Sequence, residues 1–427
     1  MTTTDYICVI SSDGHATGRM EEYRPYLEER FLEEFDAFVP EWNKHGSRNF
    51  DPPALERRLD PEYVDAWKER MTNTGRLEGN SDPELRLKEM AREGISGEVL
   101  FPDFGLPFEL YSGALASVLG YPPRDDDHIQ AGNRAFNRWL ADYVSVAPAR
   151  FAGMAAVSWH DVDSAVKEIR YAHSVGLKGV VLPAFAPEVP LYHETYEPIW
   201  NVLDELGMVV NSHLAMSSTS NHPIYTPGVP HIACATRIYS PEVMFFCHNI
   251  LSHLIWGGVF ERHPNLLFAF TEQGTSWVIA TLRDFDYSYQ GSYFRTDFHD
   301  VIRHKPSEYF ERQCYMGSST FSRFEVESRH EIGLSNMMLG MDYPHHEGTL
   351  LEGTRNYLRA TLGVAKVPLN EARMLLGENA ARVFGFDLEK LAPVAAELAV
   401  TPESVLTPPE EDLFPRGDVN RPGSLFG

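Results

Sequence analysis

Seven side chains able to bind a metal stand at or just past the ends of short apolar runs in this 427-residue chain. Asp13 and His15 follow the run ending at Ile10, and a spacing of two leaves both on one side of an extended chain. His213 ends Val209-Val210-Asn211-Ser212-His213, and Glu272 follows Phe270-Thr271. Asp342 follows Gly340-Met341, with His345 and His346 close behind. One histidine at a strand end is more often a hydrogen-bonded structural residue than a ligand. Three carboxylates buried together are another matter, because they repel unless cations compensate them. The set Asp13, His15, His213, Glu272, Asp342 and His346 therefore points to a divalent transition metal, as one ion or two. His345 is an alternative third imidazole and otherwise faces the substrate. So many carboxylates suit iron or manganese better than hydrolytic zinc; iron is the expected metal, with zinc or manganese the alternatives.

The elements that must position these groups are legible as apolar runs. Candidate strands are Tyr6–Ile10, Gly97–Phe101, Phe151–Val157, Gly179–Leu182, Met208–Ser212, Leu266–Thr271, Gln313–Met316 and Met337–Met341. Most lack polar alternation, as expected of parallel strands covered on both faces. Helical patterns lie between them, at Pro83–Arg92, Asp161–Ser174, Tyr196–Leu206, Pro241–Arg262, Ser276–Tyr287 and Phe324–Ile332. Eight such strands predict an α/β fold, a (β/α)8 TIM barrel, over residues 1–390. No GxGxxG follows a strand to favour an open doubly wound sheet. Long insertions at about 16–81, 105–124 and 215–239 leave from the catalytic face and read as lids or substrate walls. Residues 391–427, rich in Pro, Glu and Asp, read as a C-terminal extended tail or a loose terminus.

The motif Asp-x-His, a later His, and Asp342 in Asp-Tyr-Pro-His resemble the amidohydrolase superfamily, in its aminocarboxymuconate-semialdehyde-decarboxylase-like branch. The resemblance covers roughly Tyr6 to Phe386 and implies that Asp342 is both metal ligand and base for a metal-bound water. Two features depart from the family. Glu272 stands where a strand-six His is expected, and no lysine ends the fourth strand, which runs Val181-Leu182-Pro183-Ala184. The carboxylate-rich set with Thr271-Glu272-Gln273-Gly274 is similar to a TIM-barrel group of non-heme diiron monooxygenases of platensimycin-type biosynthesis. That resemblance implies a monooxygenase hydroxylating an apolar, CoA-linked (acyl-CoA) substrate, with Asp342, Glu272 and His213 catalytic. The alternative is a hydrolase or non-oxidative decarboxylase using a metal-activated water.

Phe104, Phe108, Tyr111, His222, Tyr225 and His345 sit on catalytic-face loops and are expected to wall a small-molecule substrate pocket. Asp103 is a candidate partner for a ligand histidine or a turn cap. A net charge of −24 argues against nucleic acid or an anionic membrane as partner. Cys8, Cys234, Cys247 and Cys314 are widely spaced and read as reduced thiols, and neither a leader nor a membrane-spanning run is seen. A cytoplasmic enzyme, homo-oligomeric and dimeric, is expected.

Overall fold

The computed structural model describes residues 6–45, 48, 50–56, 59–103, 105–109, 125–183, 189–214, 216, 232–291, 297–350 and 353–410. Eight parallel strands pair in sequence order: β1 (Ile10–Ser11), β2 (Gly97–Leu100), β3 (Phe151–Ala156), β4 (Gly179–Val181), β5 (Val209–His213), β6 (Phe268–Thr271), β7 (Cys314–Ser318) and β8 (Met337–Leu339). The ends of the sheet meet. Ser12 N–H donates to the Leu339 carbonyl at 2.7 Å, Asp342 N–H donates to the Asp13 carbonyl at 3.0 Å, and Gly14 bridges Tyr343. The ring is a (β/α)8 barrel.

One apolar cluster takes a residue from every strand, including Ile10, Val99, Met154, Val181, Val209, Ala269, Tyr315 and Met338, and fills the barrel interior. Ala380 and Phe384 of the helix Asn379–Phe384 join it and stopper the barrel. All strand residues are buried, which explains the missing polar alternation.

Helix signals act as the sequence implies. The Asp82 carboxylate accepts from Glu84 and Leu85 N–H to start Pro83–Glu93, and Gly94 ends that helix at φ 81°. Asp161 caps Val162–Ser174 likewise. Elsewhere the structure departs. The strand expected at Tyr6–Ile10 pairs only at Ile10–Ser11, since Ile7 N–H instead meets the Val400 carbonyl. The helix Asp126–Ser145 has no counterpart among the expected elements, because its buried face (Ala135, Phe136, Trp139, Leu140) is diluted by polar residues. Residues 391–410 are helical rather than extended in Leu388–Leu398 and Pro402–Leu406, and they bury Leu391, Val400 and Val405; 411–427 lie outside the described residues.

The first insertion folds into short helices, among them Leu32–His45 and Pro61–Trp67. No helix of the described residues is long and apolar enough to cross a membrane.

Gly377 marks where helix and barrel touch, since a Cβ there would lie 2.1 Å from the Cys8 carbonyl oxygen. Gly377→Ala must move backbone against backbone and should cost about 1–3 kcal/mol. Denaturant unfolding measures this, and an unchanged midpoint would contradict so close a contact.

Candidate metal centre

Among the described residues, seven ionisable ones gather at the same end of the barrel from five strand ends: Asp13 and His15 after β1, Asp103 after β2, His213 and Glu272 at β5 and β6, and Asp342 and His345 after β8. All are buried, none more than 8% exposed. Their ligand atoms fall into three overlapping groups, each within 4.8 Å: Asp13, His15 and His213; His15, Asp103 and His345; and Glu272, Asp342 and His345.

Each imidazole is held by its outer nitrogen. His15 Nδ1 lies 2.8 Å from the Pro102 carbonyl, His213 Nδ1 lies 3.0 Å from the Leu214 carbonyl, and His345 Nε2 lies 3.3 Å from Asp103 Oδ2. The inner nitrogens face carboxylates. His15 Nε2 is 3.3 Å from Asp342 Oδ1, His345 Nδ1 is 3.0 Å from the same oxygen, and His213 Nε2 is 3.3 Å from Asp13 Oδ1. Yet His15 Nε2, His345 Nδ1 and both Asp342 oxygens make no hydrogen bond of proper geometry, although fully buried. Buried polar atoms that converge without bonding one another form a cradle for a shared cation. Outer anchoring fixes each ring's tautomer and aims its lone pair inward. The donor set thus fits a divalent cation.

The electrostatics agree. Burial opposes charge on His345, but Asp342 and Asp103 outweigh it and raise its pKa well above the ordinary value. His213 is raised in the same way, its bond to Asp13 overcoming burial. Burial and the charges of Asp342 and Asp13 push Glu272 well up. Burial would push Asp342 up too, but His345 and His15 hold it below the usual carboxylate range. Without metal the cluster must therefore take up protons, and a bound cation would displace them.

Two backbone positions are strained to aim these groups. Glu272 (φ 62°) and Asp342 (φ 55°) adopt the left-handed conformation, at about 1–3 kcal/mol each. Glu272 N–H is tied to the Gly317 carbonyl at 2.9 Å, and Asp342 is tied to Asp13 across the seam.

Of the expected ligands, the structure gathers Asp13, His15, His213, Glu272 and Asp342. His345 lies beside them, whereas His346 does not join them. His346 is in none of the three groups; its Nδ1 lies 2.5 Å from Glu347 Oε2, and its ring meets those of Tyr63 and Trp67 in edge-type contacts. Phe108 packs against Phe31, Phe35, Phe38 and His128 of neighbouring helices rather than against the cluster. Phe104, Tyr111, His222 and Tyr225 lie outside the described residues. Ser319 is a member that sequence reasoning misses; its hydroxyl donates to Asp13 Oδ2 at 2.5 Å. Its signal is a Gly317-Ser318-Ser319 run at the end of a strand otherwise lacking a polar candidate.

Beside the centre, His248 Nε2 lies 3.3 Å from the Gln273 carbonyl and its ring stacks on Trp277. Burial, partly offset by that carbonyl, lowers its pKa to about 4. The folded protein keeps the ring neutral, while the unfolded chain protonates it below about pH 6.5. Its contribution is full above that pH and is lost as pH falls toward 4, by about 2–3 kcal/mol. Ring proton shifts followed by NMR should show no midpoint above about pH 5, and one near the free-histidine value would contradict this.

Residues 80–386 match the amidohydrolase family. The chain is 24% identical over 319 residues to 2-amino-3-carboxymuconate-6-semialdehyde decarboxylase of Dictyostelium discoideum, covering 72% of this chain and 78% of that protein. Its fold is similar to 5-carboxyvanillate decarboxylase from Sphingomonas paucimobilis (TM-score 0.60, 20% identity, 89% of this chain and 100% of the other). It is similar also to the enzyme of the same name from Novosphingobium aromaticivorans, solved with manganese bound (TM-score 0.59, 17% identity, 90% and 99%).

These findings correct the expectation of a monooxygenase. The relatives are decarboxylases, matching the non-oxidative alternative. The physical reason lies in Glu272, the residue on which the oxygenase reading turns. A carboxylate-rich set selects a hard cation, and that choice does not decide between oxygen chemistry and redox-neutral chemistry. The family match extends over well more than half of the sequence, and the chain belongs to the amidohydrolase family.

Proposed function

We propose that the protein is a divalent-metal-dependent decarboxylase that removes CO2, without oxidation, from an aromatic or conjugated carboxylic acid. The observation that carries this reading is the convergence of three outer-anchored imidazoles on buried carboxylates, among them Asp342, whose two oxygens lack hydrogen bonds. Asp13, His15, His213, Glu272 and Asp342 would hold the ion, and manganese suits so oxygen-rich a set. When bound, it supplies a Lewis acid that anchors the substrate and stabilises negative charge.

The chain's own groups do the rest. Losing CO2 leaves a carbon that needs a proton. His345 Nδ1 can carry it, because Asp103 behind the ring stabilises the imidazolium. The aromatic residues of the first insertion, Phe50 against His345 and Tyr63 and Trp67 against His346, exclude water from that side. Relatives in this fold include decarboxylases of 2,6-dihydroxybenzoate and 5-carboxyvanillate, so these acids are the first probes. Metal-stripped protein reloaded with Mn2+ should release CO2 from one of them under nitrogen. Turnover that requires O2, or that proceeds without CO2 release, would overturn the reading.

A further inference from the structure

Arg86 is a fully buried cation that touches no expected substrate or ligand atom. It projects from the helix Pro83–Glu93 to the seam where the first and last strands meet. Its Nε donates to Glu98 Oε2 at 2.7 Å, and Nη1 donates to the His15 carbonyl at 2.9 Å. The guanidinium lies 3.7 Å from the centre of the Tyr343 ring. Tyr343 directly follows Asp342, and its carbonyl receives the His15 N–H at 2.7 Å. One side chain thus grips both loops that present Asp13, His15, Asp342 and His345.

Gly14 shows how close the grip is. A Cβ there would lie 2.5 Å from Glu98 Oε1 and 2.6 Å from Arg86 Nη2. The glycine between Asp13 and His15 lets the ion pair pack directly beneath the ligand backbone. A buried pair needs a reason, because replacing it with apolar residues of similar volume is often neutral or stabilising. Packing alone does not explain why it is placed against both ligand loops.

We propose that the Arg86–Glu98 pair is a positioning device for the metal centre, holding the β1 and β8 loops in the register that makes their side chains converge. The proposal rests on the metal-binding reading above. It is tested with metal-stripped protein by Mn2+ titration, reading free Mn2+ by electron paramagnetic resonance, with circular dichroism of the metal-free protein as control. Two variants are compared with the parent. Arg86→Lys keeps the charge but loses the guanidinium's second bond and its flat contact with Tyr343. The double variant Arg86→Met/Glu98→Leu removes both charges at similar volume. Both should fold and bind Mn2+ about 10–100-fold more weakly than the parent. Parental affinity, within twofold, in a folded variant would overturn the proposal while leaving the metal reading intact. A parent that binds no Mn2+ would overturn both. If the double variant does not fold, Arg86→Lys decides.

Discussion

Asp342→Asn is expected to lower decarboxylation by at least about a thousandfold, equivalent to ~4 kcal/mol of transition-state stabilisation. The Asp342 carboxylate is fully buried, lies within reach of His15 Nε2 and His345 Nδ1, and has no hydrogen bond on either oxygen. Asparagine keeps the shape but replaces an anionic donor with a neutral amide, so Mn2+ content should fall with turnover. The fold should survive, since His345, whose proton Asp342 helps to hold, can lose that proton when the charge is gone. Metal analysis alongside a CO2 assay checks both parts. A variant that keeps its metal and more than a tenth of its activity would remove Asp342 from the centre.

Asp103→Asn is expected to act on the proton instead of the ion. Its carboxylate lies 3.3 Å from His345 Nε2 and helps to raise that ring's pKa. An amide there cannot stabilise the imidazolium and can impose the other tautomer, so turnover should fall about 10²–10⁴-fold. Mn2+ content should hold near the parental level. If the metal is lost with the activity, His345 is a ligand and the proton comes from elsewhere.

Much of the barrel is legible in the sequence because a parallel strand declares itself twice, by a short apolar run and by the polar residue just past its end. Seven of the eight expected strands overlap their observed counterparts over most of their length, and Asp13, His15, His213, Glu272 and Asp342 meet as their positions imply. The hidden part depends on three-dimensional choices. His345 and His346 are adjacent, and only the turn after a left-handed Asp342 decides which ring faces inward. Ser319 reaches Asp13 across 306 positions of sequence, a distance no local pattern records. Reaction type is least legible. Ligand hardness can be read from residue types, but whether the ion binds O2 or a carboxylate depends on what else enters the pocket.

The seam between the first and last strands has a consequence for how the protein comes into being. Asp13 leaves the ribosome long before Asp342, yet their backbones bond at the ring's closure. No nascent fragment lacking β8 can present the whole donor set. Ion capture then falls after the barrel closes, and the bound metal becomes a clasp that stabilises the closed ring by mass action.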